Sequence, residues 1–435
     1  MITKNKAGIL NRKQVPKITD AVNLHLELKP YEKFVLKNGV EVYSINAGAE
    51  DVMMIEWVFN AGNWFEDANL QAATTNFLLK NGTSTKTAFQ LNEHFEYYGA
   101  YLNRNCYAET ANLSLHCLNR HLSELLPVVR EILTDAVFAE EEIVTYKQNM
   151  QQRLDVSLKK CDFVAGRLID AYLFGENHPY GKYSKYEYYE ALQREQLLQF
   201  YKKYYQQGKF VIFMAGKLPA NAEQLLNQYF GDLPVMAYEH KKIITEPSAE
   251  KKYRITNDPN GMQGAIRMAR HFPNRHHPDF PKVQVLNNIF GGFFGSRLMS
   301  NIREDKGYTY GINSAISTKE KDSMFYIGTD VNYAVTDKTI DEIVKEIKLL
   351  QQEEVPEEEL QTVKNYMLGK FLNELNTIFE QCDRYKNVVL YDLPLSHYND
   401  FVTAVRTTTS AELMELAERY LQPDALFTAV AGRTA

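Results

Sequence analysis

The sequence predicts an α+β protein of two homologous domains, each a mostly antiparallel sheet with helices packed on one face. Three observations lead there. The chain has 435 residues, beyond the size at which a single core keeps growing. Two buried-looking strands, Phe210 to Gly216 and Ala425 to Gly432, share their character, and each follows a long helical stretch ending in Tyr and Gln. Cys161-Asp162 and Cys382-Asp383 fall at comparable places ahead of those stretches. A repeat at about half the chain length points to a duplicated unit of sheet and helices.

The elements follow from local pattern. Val35 to Ile45 reads as a hairpin, because Lys37-Asn38-Gly39 is a turn between two apolar runs. Asp51 to Asn60 is a second strand. Leu70 to Lys80 has helical spacing and stops at Asn81-Gly82. Helical stretches follow at Leu118 to Thr134, Glu140 to about Lys160, and Lys185 to Tyr205. Pro234 and Pro247 among charged residues mark the linker between Leu233 and Lys252. The expected domains are 1–238 and 239–435.

Composition excludes several function classes. Net charge is −6, from 49 Lys+Arg against 55 Asp+Glu, where a nucleic-acid binder needs a basic excess or face. No stretch reaches the length of a membrane span. The four cysteines, Cys106, Cys117, Cys161 and Cys382, form no C-x-x-C pair, which suits free thiols in a reducing compartment. Met1 to Asp20 is basic but lacks the apolar run of a secretory signal. It reads as a solvated arm on a cytoplasmic protein.

The strongest local signal is the run from Asn288 to Tyr310. Gly291, Gly292 and Gly295 could cradle a phosphate, but no Gly-Lys-Ser/Thr ending follows. A glycine-rich turn into a helix from Ser296 to Glu304, stopped by Gly307 before an aromatic strand, fits better. This run resembles the C-terminal half of pitrilysin/insulinase-type zinc peptidases and mitochondrial processing peptidase. The shared residues are Gly291, Gly292, Ser296, Arg297, Leu298, Arg303, Glu304, Gly307 and Tyr310. The resemblance extends over nearly the whole chain and implies a clamshell of the two domains. It also implies roles for Arg303 and Tyr310, which in that family reach across a chamber to a substrate bound at zinc. Arg303 can donate to a substrate carbonyl in a fixed fork, and the Tyr310 hydroxyl to a developing oxyanion. Outside such a motif, the same pair would read as a surface ion pair with Glu304 and a core tyrosine.

The family's zinc site is H-x-x-E-H on a helix plus a later carboxylate; the paired His share one helical face and the Glu acts as base. Alignment on Asn81-Gly82-Thr83 puts the motif on Ala73, Asn76 and Phe77, and the third ligand on Arg153. Both His are gone, the base is an amide, and the carboxylate is a cation. His121 and Glu124 lead only to Leu125, and His271, His276 and His277 sit between prolines in a loop. No metal is expected in this chain. Gly99 to Asn103 resembles the lead-in to the family's peptide-pairing edge, where a peptide can add as a strand. Arg104 stands where a small residue is usual.

The resemblance therefore implies a non-catalytic subunit without peptidase activity by itself. Its partner would be a homologous zinc-bearing subunit in a heterodimer, its substrate a peptide, and Arg303 and Tyr310 would act in trans. The alternative is a purely structural, assembly or peptide-binding homologue.

Overall fold

The computed structural model describes residues 28–238 and 242–433. The arm Met1 to Asp20 lies outside the described residues, as do positions 239–241 at the expected domain boundary. Among the described residues, eleven strands form two sheets. The first contains β1 (Glu32–Val35), β2 (Glu41–Asn46), β3 (Val52–Phe59), β4 (Tyr101–Cys106), β5 (Ala111–Leu118) and β6 (Phe210–Gly216), in the order β1-β2-β6-β3-β5-β4. The second contains β7 (Lys252–Thr256), β8 (Gln263–His271), β9 (Thr309–Thr318), β10 (Ser323–Asn332) and β11 (Phe427–Gly432), in the order β7-β11-β8-β10-β9. With the β1 hairpin strand set aside, the two orders are identical. In each sheet the late-arriving strand runs parallel to the first, β6 to β2 and β11 to β7, and every other pairing is antiparallel.

The predicted hairpin is β1–β2. Gly39 takes the positive φ its turn demands, and the Asn38 amide donates to the carbonyls of Phe230 and Leu233, both at 2.8 Å. Gly216 and Gly432 end their strands at φ +115 and +135. A Cβ there would meet the Val52 carbonyl oxygen at 2.4 Å or the Gln263 carbonyl oxygen at 2.2 Å, so the shared glycine marks the same close crossing in both halves. The expected single helix from Lys185 to Tyr205 is two, Tyr186–Ala191 and Arg194–Tyr201. Gln193 adopts extended backbone and forms a reciprocal cap with Gln196, which starts a new helix.

Each sheet packs its own helices on one face, as expected. Met53, Ile55, Trp57 and Phe59 of β3 join the first core, and Ile266, Met268, Phe325 and Ile327 join the second. The opposite faces receive a helix from the other half. Helix Cys161–Phe174 packs on β8 and β11, with Cys161, Val164 and Ala165 against Ala265 and Ala431. Helix Ile378–Leu390 packs on β6 and β2, where Cys382 joins Tyr43, Met54, Val58 and Phe213. The cysteines that marked the repeat thus mark the two exchanged helices. Burial on both faces explains why β3 reads as an apolar run broken only by Glu56.

Loops tie the halves as well. The Tyr180 hydroxyl donates to Glu109, which also accepts from the Glu320 amide at 3.1 Å. Lys386 joins buried Glu56 at 2.7 Å across the interface. Among the described residues, no helix is long and apolar enough to cross a membrane, and all four cysteines are free thiols.

Candidate functional site

Helix Gln71–Leu78 carries three of the four zinc-site positions. Gln71 anchors its start, accepting from the Asp67 amide at 2.9 Å and donating to the Gln196 carbonyl at 2.7 Å. Ala73 and Phe77, four residues apart, share the more open face. Asn76 is buried and donates to the Tyr205 hydroxyl at 3.1 Å and the Asn112 carbonyl at 3.4 Å. Its amide ties the helix to the sheet behind it.

The Phe77 ring lies 4.8 Å from the Tyr146 ring and 4.5 Å from the Arg104 guanidinium carbon. Arg104 arrives on the edge strand β4, so two departures from the family pattern pack on each other. A second cation stands close by: Lys80 donates to the Leu102 carbonyl at 2.8 Å, and burial, then Arg104, draws its pKa down to about 8. Arg153 is exposed on helix Glu140–Leu158, two turns beyond Tyr146. Hydrocarbon at two positions, a committed amide at the third and a cation at the fourth leave no His or carboxylate among the four, and Arg104 adds a further positive charge. Among the described residues, no group of three His, Cys, Asp or Glu side chains is arranged to hold a metal ion. His271 instead faces Asp322 at 3.0 Å, and His277 accepts from the Asp279 amide at 3.1 Å.

Arg303 and Tyr310 belong to the other half, where the structure brings them together. The predicted helix after the glycine turn widens into a π-type turn over Met299–Asp305, an irregularity common at functional sites. Gly307, at φ +64, ends it, and the Tyr308 amide closes back on the Ile302 carbonyl at 3.0 Å. The Arg303 guanidinium carbon then lies 5.2 Å from the Tyr310 ring centre and 4.7 Å from that of Phe294. Tyr310 is 91% exposed, which rules out the core reading. Arg303 has no carboxylate partner among the described residues, and so does not pair with Glu304. Other motif residues are structural: Arg297 makes a two-pronged bond to Glu359, each contact 2.9 Å. Phe294, itself exposed, was missed as a site residue; an aromatic held between Gly292 and Gly295 is the signal that could have found it. Tyr310 also borders a shallow cavity of about 260 Å³ with Arg267 and Asp330, which bond to each other at 2.9 Å.

Two duplicated sheets with exchanged helices, a helix without His or carboxylate donors and a paired Arg/Tyr are the features in which this chain is similar to peptidase M16 proteins of pitrilysin/insulinase type, without H-x-x-E-H. Residues 191–367 match the family described as Peptidase M16 inactive domain. The chain is similar to an uncharacterized zinc protease of Rickettsia felis, 25% identical over 349 residues, covering 78% of this chain and 82% of that one. It is also similar to the non-peptidase homolog YmxG of Helicobacter pylori, 22% identical over 386 residues, 86% of this chain and 88% of that one. A solved peptidase M16 inactive domain from Pseudomonas fluorescens shares the fold with a TM-score of 0.83 at 23% identity, covering 93% of this chain and 98% of its own.

Proposed function

We propose that this chain is the non-catalytic subunit of a two-chain zinc metallopeptidase, paired as a heterodimer with a homologous zinc-bearing subunit. Arg303 and Tyr310 act in trans on the peptide held by the partner, Arg303 on a carbonyl and Tyr310 on the developing oxyanion. Zinc belongs to the partner, and this chain has no peptidase activity by itself. The observation that carries the reading is the state of the pair: Tyr310 stands 91% exposed beside an Arg303 that has no carboxylate partner among the described residues. A large aromatic left open to solvent gains little from packing, while Phe77 and Arg104 pack on each other at the helix Gln71–Leu78 of the same molecule. We place the pair in the cytoplasm, in keeping with four free thiols, and the domain division after residue 238.

The test is peptide hydrolysis by this chain, by a zinc-bearing homologue from the same organism, and by the two mixed. Activity should appear or rise on mixing. Arg303→Ala and Tyr310→Phe should each lower kcat of the mixture roughly a hundredfold, the usual weight of one oxyanion donor. Unchanged activity in both variants would sink the trans role and leave the structural or peptide-binding alternative.

A further inference from the structure

A cavity of about 310 Å³ lies inside the C-terminal half, away from both Arg303 and the zinc-site helix. Its volume is at the lower end of small-molecule sites, roughly 300–1,000 Å³. One wall is aromatic. Phe371 stands edge-on to Phe401 with ring centres 5.3 Å apart, and its ring is 5.7 Å from that of Tyr398. The lining is also cationic, with Arg275, Lys370 and Arg384 against the single carboxylate Glu374. Glu374 pairs with Arg384, which leaves two positive charges uncompensated within the lining.

Arg275 is the more telling of the two. Its Nε donates to the Thr318 hydroxyl at 2.9 Å, and its guanidinium lies flat over Tyr391, 3.9 Å from the ring centre. Among the described residues it has no carboxylate partner, and Nη1, shut off from solvent, has no hydrogen-bond acceptor. A half-buried cation so arranged costs stability unless an anion answers it. His397, also in the lining, is held toward its neutral form by burial and then by Arg275.

We propose that this cavity binds an apolar carboxylate: a carboxylate group at Arg275 and Lys370, with an aromatic or branched side chain against Phe371 and Phe401. A free hydrophobic acid and the C-terminal residue of a peptide present that same chemistry. The site is independent of the trans role of Arg303. The cavity shares Thr318, Glu374, Arg384 and Asn387 with a neighbouring cavity of about 570 Å³ between the two halves, so a ligand there would lie beside the domain interface.

Calorimetric titration of the full chain tests this with N-acetylphenylalanine, its amide, and a tetrapeptide ending in phenylalanine as free acid or amide. At least one free acid should bind, and its amide should bind about tenfold or more weakly, because a charge-assisted contact is lost. Binding by the small acid only identifies a free-acid site; binding by the tetrapeptide acid identifies capture of a chain end. Arg275→Gln should weaken binding about tenfold. Lys370→Gln, at an exposed position where folding is not at stake, should weaken it severalfold even if Arg275→Gln fails to fold. Absence of binding by both acids, equal binding of acid and amide, or an unaffected Lys370→Gln variant would overturn the proposal.

Discussion

The guanidinium of Arg104 stacks on the ring of Phe77, 4.5 Å from its centre, although the two residues come from different elements and depart from the family pattern for different reasons. Phe77 lies on helix Gln71–Leu78 and Arg104 on the edge strand β4. Their contact joins the helix to the edge strand: the arginine stem and the aromatic ring share one space.

That contact has a measurable weight. Phe77→Ala and Arg104→Ala should each destabilise the chain, and the double variant should lose less than the sum. A coupling of about 0.5–2 kcal/mol is expected for a partly desolvated cation–π pair. Denaturant midpoints of the four proteins in the cycle measure it, and strict additivity would show that the stacking is incidental.

Arg303 and Tyr310 should behave in the opposite way. Their side chains cover little core, so Arg303→Ala and Tyr310→Phe should shift unfolding free energy by no more than about 0.5–1 kcal/mol. Loss of activity in the assembled pair with unchanged thermal unfolding of the single chain would separate function from packing.

Asp170, on the helix that crosses to the second sheet, should make stability depend on pH. Burial pushes its pKa up to about 6, with Lys319 pulling the other way. A carboxyl raised in the folded state favours folding while it is protonated. Its contribution is full below the unfolded value near 3.8 and is lost as pH rises through about 6. Asp170→Asn should therefore stabilise the chain at pH 7 by roughly 1–3 kcal/mol and flatten this part of the profile. A variant whose pH profile matches the wild type between pH 4 and 7 would show that Asp170 is not the cause.

The interface ion pair should be sensitive to one-sided change. Glu56 is 3% exposed, and Lys386 meets both it and Asp383 at 2.7 Å. Lys386→Met strands a buried carboxylate and should cost about 3–5 kcal/mol. Adding Glu56→Gln should recover much of that loss, because the stranded charge is then gone. Chemical denaturation of both variants tests the pair, and equal stability of the two would mean that Glu56 finds other compensation.

Much of this molecule is written in local pattern. The hairpin turn at Lys37-Asn38-Gly39, the apolar β3, β6 and β11, the glycines closing β6 and β11, and the glycine turn before Arg303 all follow from propensities that act within a few residues. The lack of His or carboxylate at Ala73, Asn76, Phe77 and Arg153 is equally legible, because each position can be checked for donor atoms by itself. Lys185 to Tyr205 was misread as one helix because the Gln193 cap uses side chains less diagnostic than Ser, Thr or Asp.

What the tertiary structure decided is which faces meet. Exchange of helices Cys161–Phe174 and Ile378–Leu390 between halves depends on small residues, Ala265 and Ala431 on one side, that look like ordinary sheet residues until another helix is seen against them. The same holds for Phe77 with Arg104, for Arg303 beside Phe294, and for the cationic wall around Arg275. Sequence by itself determined the duplicated α+β plan and the side-chain chemistry at Ala73, Asn76, Phe77 and Arg153, because those are matters of period and residue type. Contacts between residues distant in sequence were decided only by packing, since burial against a partner is a property of the folded surface and leaves no period in the chain.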